Sequence, residues 1–167
     1  MNSVAENVRL IIQQVRQKGD LALCKLVRKF DHISIRPAQI RVSPAEVKRA
    51  RERVSASFSR TLLKCAKNIE SFAQLEKARM SKSWTSARGS IKIGQLMRPV
   101  DSVGLYIPGG RFPYPSTVLM TAIPARVAGV KRIVMASPAK NLTPEVLAAA
   151  SLAGCDEIYR VGGPGVI

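Results

Sequence analysis

The stretch Pro99-Val-Asp-Ser-Val-Gly-Leu-Tyr-Ile-Pro-Gly-Gly110 decides the fold. Val103 to Ile107 is a short apolar run, and Pro108-Gly109-Gly110 ends it abruptly. Such a run bounded by turn residues reads as a buried strand. From Ser116 to Val130 the apolar residues Val118, Leu119, Ala122, Ile123 and Val127 fall at helical spacing, and Gly129 closes the segment. Arg132-Ile-Val-Met-Ala136 is a second strand, ending in Ser137-Pro138. Thr143-Pro144-Glu145 opens a second helix, which runs through Ala153 to Gly154. Glu157-Ile-Tyr-Arg-Val161 is a third strand, ending in Gly162-Gly163. Strands that alternate with helices across short loops predict a parallel βαβαβ sheet. A sheet that stops at its third strand is expected to leave an edge and an apolar face uncovered.

Upstream the grammar is helical. Val4, Val8, Ile11, Ile12 and Val15 form one apolar stripe, Lys18-Gly19 ends it, and Asp20 is placed to cap the next helix. Leu23, Leu26, Val27 and Phe30 share a face of that second helix, which Ile35-Arg36-Pro37 breaks. Ser43-Pro44-Ala45-Glu46 is a helix start, with serine as cap and glutamate three residues on. Ser55, Ser57 and Ser59 mark a break, and Leu62, Cys65, Ala66, Ile69, Phe72 and Ala73 make a further stripe. Gly89 to Gly94 alternates with period two and Gln95 to Arg98 continues it, so a short β-hairpin is expected near 89–98. The fold class is therefore α/β in two parts. Residues 1–98 form a helical region with that hairpin, and residues 99–167 form an incomplete Rossmann-like α/β domain with Pro99 as hinge.

Composition narrows the function. The chain has 167 residues, 46% of them hydrophobic and 23% charged, so it can bury a core. No run approaches the roughly 18 apolar residues that a membrane-spanning helix needs, and the first residues carry no secretory pattern. The net charge of +16 first reads as a nucleic-acid signal. Residues 1–100 hold 21 of the 27 Lys and Arg, dispersed along amphipathic segments, and the densest piece, Lys48, Arg49, Arg51 and Arg53, has no aromatic residue interleaved. Solvated helix faces account for that pattern better than a base-stacking surface. Three cysteines, Cys24, Cys65 and Cys155, show no paired spacing and read as buried free thiols. The single histidine, His32, excludes any site needing two imidazoles from one copy of the chain.

Ligands bind where the carboxyl ends of parallel strands open onto one edge. That edge gathers the loops at Pro108–Pro115, Ser137–Thr143 and from Gly162 onward. Gly109 and Gly110 let backbone approach a ligand closely. The free amides near Ser116 and Thr117 favour an anion, and Arg111 supplies a fork of donors. Tyr106 at the strand end offers a ring and a hydroxyl. Pro-Gly-Gly is equally an ordinary turn, Tyr106 equally a core residue, and the GxGxxG fingerprint is missing.

The stretch 99–110, with Tyr114-Pro-Ser-Thr-Val-Leu-Met120 and Ala122-Ile-Pro-Ala-Arg-Val-Ala-Gly-Val130, closely resembles histidinol dehydrogenase. So do Ala148-Ala-Ala-Ser-Leu-Ala-Gly154, Asp156-Glu-Ile-Tyr-Arg-Val-Gly-Gly163, Val15-Arg-Gln-Lys-Gly-Asp20, Phe30-Asp31, Trp84 and Gly94-Gln95. The resemblance implies an aldehyde-dehydrogenase-like architecture and a cytoplasmic homodimer that oxidises L-histidinol to L-histidine in two NAD-linked steps with a bound zinc. It implies cofactor contacts at Tyr106, Gly109, Gly110, Gly162 and Gly163. The family's catalytic glutamate–histidine pair and zinc ligands lie beyond Ile167, so the isolated chain reads as a truncated, catalytically incompetent piece. Gly165 stands where the family has an NAD-contacting glutamine, and His32 where it often has glycine. Two other readings remain open: a basic module for nucleic acid or an acidic partner, and a dimerisation remnant.

Overall fold

The computed structural model describes residues 3–110 and 112–167. Two short helices open the chain, α1 Val4–Lys18 and α2 Asp20–Asp31. They are joined by Gly19 alone, at φ +53°, a conformation that favours glycine. Asp20, expected to cap α2, is its first helical residue instead, and Gly19 occupies the cap position without a side chain to accept a bond. Asp20 therefore acts through its charge at the positive end of the helix. At the other end His32 sits at φ 58°, the one non-glycine residue with positive φ among those described. Helix ends of this kind favour glycine, because a Cβ in the left-handed region costs about 1–2 kcal/mol.

Helices α3 Pro44–Arg53 and α4 Ala56–Arg79 begin as the serine caps predict. Ser43 accepts from the Glu46 amide and Ser55 from the Phe58 amide, three residues on in each case. The stripe on α4 is narrower than its periodicity implies. Leu62, Ala66 and Ala73 are buried, but Cys65 is exposed and Phe72 is 63% exposed. One line of residues is enough to seat α4 on the α/β unit. The hairpin lies earlier than 89–98: β1 Trp84–Arg88 pairs antiparallel with β2 Ile91–Gln95. Gly89-Ser90 is its turn, with Gly89 at φ +61°, and Leu96 to Arg98 lie beyond it. The first strand, Trp84-Thr-Ser-Ala-Arg88, is too polar to be read from hydrophobic alternation.

The second part of the chain matches its prediction closely. Strand β3 Ser102–Tyr106 leads to α5 Pro115–Ala128 and β4 Arg132–Ala136. Then follow α6 Pro144–Ala153 and β5 Glu157–Tyr159. The strands are parallel in the order β3-β4-β5, with Val103 opposite Ile133 and Met135 opposite Ile158. Ile133, Met135 and Ile158 on one face of the sheet share a core with Val118, Leu119 and Ile123 of α5 and with Val146, Leu147 and Ala150 of α6. Ala50, Leu62 and Ala66, from α3 and α4, belong to that same core. The layers are thus sheet, then α5 with α6, then α3 with α4. The alanines of α6 allow the close approach: Ala149, Ala150 and Ala153 are wholly buried.

One edge of the sheet is not left open as expected. Ile40 to Val42 runs antiparallel along β5. The Val42 N–H donates to the Ile158 carbonyl and the Arg160 N–H to the Ile40 carbonyl, both at 2.8 Å. Glu157 at the start of β5 gathers charge partners: Arg132 Nη2 lies 2.6 Å and Arg41 Nη2 3.5 Å from its carboxylate oxygens. The Tyr159 hydroxyl donates to Glu157 at 2.6 Å. That bond and the Arg132 guanidinium hold the Glu157 carboxyl below the usual carboxylate range.

The cysteines are also less uniform than their reading as buried thiols. Cys65 is exposed, while Cys24 and Cys155 are half-buried. Burial, with Asp156 adding to it, pushes the Cys155 thiol up to about 12. Only the thiolate is nucleophilic, so iodoacetamide at mildly alkaline pH is expected to alkylate Cys65 first and Cys155 last, as peptide mass spectrometry would read. Replacing His32 by Gly is expected to stabilise the fold by about 0.5–1 kcal/mol through relief of the left-handed strain. His32→Val should destabilise it, and urea unfolding midpoints distinguish the two outcomes.

Candidate functional site

The carboxyl edge of the sheet is formed by three loops. β3 runs out through Tyr106 and the buried Ile107 into Pro108-Gly109-Gly110. β4 continues into Ser137-Pro138 and a single 3-10 turn, Ala139–Asn141. β5 continues through Val161 into Gly162-Gly163. Parallel register puts all three on one side, and backbone bonds tie them together. The Ile107 N–H donates to the Ala136 carbonyl at 2.8 Å, and the Ser137 N–H to the Tyr159 carbonyl at 3.1 Å.

Pro138 sits at the middle of this junction. A Cβ on Gly109 would lie 2.6 Å from Pro138 Cγ and 2.6 Å from Asn141 Oδ1. A Cβ on Gly162 would lie 2.7 Å from Pro138 Cγ. All three distances are shorter than real Cβ contacts allow. The expectation that Gly109 clears room for a ligand therefore takes a different form: Gly109 and Gly162 clear room for Pro138, and the cleft exists because the loops can pack this tightly. Gly110 faces the Tyr114 side chain, whose hydroxyl would be 3.3 Å from an added Cβ. Gly163 differs from all three. It has φ +78° and open space where a Cβ would stand, and its N–H donates to the Tyr106 hydroxyl at 3.1 Å.

All five sequence-predicted residues, Tyr106, Gly109, Gly110, Gly162 and Gly163, line one cleft of about 230 Å³. Its second wall is α2, through Leu26, Val27, Phe30 and Asp31, and Pro138 and Lys140 complete it. The Asp31 carboxylate accepts the Ala139 N–H at 2.8 Å, which fastens the end of α2 to the loop after β4. Asn141 fastens the first loop to the second, its Nδ2 donating to the Gly110 carbonyl at 3.4 Å. The α2 wall is what sequence reasoning missed. Phe30 reads from its spacing as part of the apolar face of a helix and is 51% exposed. Phe30-Asp31 is legible in the sequence only through the resemblance.

Other expectations are not brought together here. Ser116 and Thr117, at the start of α5, are not among the residues lining this cleft. Arg111 lies outside the described residues. Gly165 packs over the amino-terminal helices, where a Cβ would lie 3.1 Å from Leu26 Cδ1 and 3.1 Å from Val15 Cγ2. A larger residue at 165 would require that packing to shift.

The residues fit part of a dinucleotide. The cleft offers a phenol, a carboxylate, an exposed aromatic ring and an approachable glycine backbone. Its volume is below the roughly 300–1,000 Å³ usual for a complete small-molecule site. The residues do not fit zinc. Among those described, no group of three or more His, Cys, Asp and Glu side chains could hold a metal ion.

A parallel βαβαβ sheet whose loops gather at its carboxyl edge defines an α/β protein of the open parallel-sheet class. Comparison with known proteins gives the family. The family model for histidinol dehydrogenase matches residues 1–167, and the chain belongs to that family. It is 46% identical over 165 residues to the histidinol dehydrogenase of Gluconobacter oxydans, covering 96% of this chain and 37% of that one. It is 44% identical over 162 residues to that of Caldanaerobacter subterraneus subsp. tengcongensis, again with 96% and 37% coverage. The crystal structure of histidinol dehydrogenase from Elizabethkingia anophelis superposes with a TM-score of 0.86 at 30% identity, covering 99% of this chain and 38% of that one. The chain thus spans a little over a third of the length of the relatives it matches.

The Pro138 junction is expected to tolerate Gly163→Ala better than Gly109→Ala. The first meets only left-handed strain, about 1–2 kcal/mol. The second forces Pro138 and Asn141 apart, at about 1–3 kcal/mol on top of a disturbed cleft. Urea denaturation of the two variants measures the difference.

Proposed function

We propose that this chain supplies the amino-terminal part of a histidinol dehydrogenase and that its cleft forms one wall of the NAD site. The single observation supporting this is the convergence of Tyr106, Gly109, Gly110, Gly162 and Gly163 on one cleft in a chain of that family. In the whole enzyme the substrate is L-histidinol, which is oxidised in two steps to L-histidine. NAD, when bound, supplies the hydride acceptor. Family membership supports a cytoplasmic homodimer as the working form.

This chain's own residues would bind and orient. Tyr106 holds Gly163 through the N–H bond to its hydroxyl oxygen. That leaves the phenolic proton free to donate and fixes the ring at the mouth of the cleft. Gly163, with open space above it, lets a cofactor reach the backbone. The α2 wall keeps water from one side. Metal binding is assigned to no residue of this chain, since no group of three or more His, Cys, Asp and Glu side chains is gathered among the described residues.

Two outcomes test the proposal. Purified chain mixed with histidinol and NAD is expected to form no NADH, and measurable production would overturn the assignment of chemistry elsewhere. NAD titrated into the chain is expected to move the Gly110 and Gly163 amide resonances. Tyr106→Phe should weaken that binding by about two- to tenfold, the worth of one hydrogen bond. Binding that leaves those amides unmoved would remove the cleft as the site.

A further inference from the structure

The carboxylate at the end of α2 carries an inference that rests on the cofactor reading and refines it. In dinucleotide-binding sheets an acidic residue about 20 positions after the glycine loop accepts the ribose hydroxyls. Here no Asp or Glu occurs from Ser102 to Pro144, and the second strand of the sheet begins at Arg132, directly after Lys131. The sheet therefore provides no acid of that kind beside its first two loops. Asp31 lines the cleft from α2 instead, with Tyr106, Gly163 and the exposed Lys140 as fellow lining residues. Its Oδ2 is occupied by the Ala139 N–H at 2.8 Å. Its other oxygen makes no hydrogen bond or ion pair with any described residue. The backbone bond holds the carboxylate in place, so an acceptor is presented without the entropy cost of ordering it on binding.

We propose that Asp31 is a specificity-determining residue. It accepts a hydroxyl of the adenosine ribose and, by like-charge repulsion, excludes a 2′-phosphate, so that the cleft takes NAD and rejects NADP. An ionised carboxylate only accepts hydrogen bonds. A ribose diol satisfies it, and a phosphate placed there would meet negative charge with no proton to share. The overall charge works the other way. A chain of net charge +16 attracts the more highly phosphorylated nucleotide by its general field. A preference for the bare hydroxyl therefore has to be local.

The test titrates the full chain with AMP, 2′-deoxy-AMP and adenosine 2′,5′-bisphosphate at fixed ionic strength, read by two-dimensional amide NMR. AMP is expected to bind tightest, with both analogues weaker by about fivefold or more, the range of a hydrogen bond to a charged group. Asp31→Asn keeps an acceptor for the Ala139 amide and should bring the bisphosphate to within about twofold of AMP, or past it. The bisphosphate binding wild-type chain as tightly as AMP would overturn the proposal, as would undiminished discrimination in Asp31→Asn. If that variant does not fold, the wild-type ligand series decides alone. Failure of all three nucleotides to bind would remove the cofactor reading itself. Binding without discrimination would remove only the role of Asp31.

Discussion

The close contact of Gly109 and Gly162 with Pro138 is the constraint on which the rest of the site depends. Parallel strands deliver three loops to one edge, and these loops must cross within a space that one added methyl group would overfill. Two glycines and a buried proline solve this, because the glycines remove the colliding atoms and the proline has a fixed shape. The junction also carries unpaired polar atoms. Ser137 Oγ, Asn141 Oδ1 and Thr143 Oγ1 are buried with no hydrogen-bond partner among the described residues. Each such atom costs about 1–3 kcal/mol, and three of them cluster along the single loop between β4 and α6. The rest of the fold must supply the stability that this loop gives up.

It does so through the amino-terminal helices, which are structural partners of the sheet rather than an appendage. Ile40 to Val42 covers the outer edge of β5. The Glu46 carboxylate pairs with the Arg160 guanidinium and ties α3 to the end of that strand. Asp31 ties α2 to the loop after β4. Leu62 and Ala66 extend the core beneath α5 and α6. The opposite edge, β3, is paired on one side only among the described residues. The hairpin β1–β2 is exposed along its whole length. Register puts Trp84, Ile93 and Ile91 on one face of that ribbon, and a lone two-stranded ribbon is marginal in water.

These features bear on how the cleft works. A wall borrowed from α2 can move relative to the sheet only by breaking the Asp31–Ala139 bond and the small cluster of Val27, Ile40 and Val161. Binding groups are thus held by two elements far apart in sequence. Preorganisation of that kind lowers the entropy cost of holding a ligand.

The sequence by itself determined the order and type of the elements after Pro99, because each is short, uniform in period and punctuated by glycine or proline at both ends. The same holds for the serine-capped starts of α3 and α4, where one hydroxyl reports the helix boundary directly. It also named the residues that line the cleft from the sheet side, since strand ends and glycine pairs are local signals. Only the tertiary structure decided that α2 forms the second wall, that Ile40 to Val42 closes the sheet edge, and that Gly109 and Gly162 serve Pro138. The position of the hairpin and the exposure of Cys65, Phe72 and half of Phe30 belong to the same group. The physical reason is common to all of them: helical periodicity states that a face is apolar, but not how much of it a neighbour will cover. A contact between residues a hundred positions apart, such as Asp31 with Ala139, leaves no periodic trace in either segment.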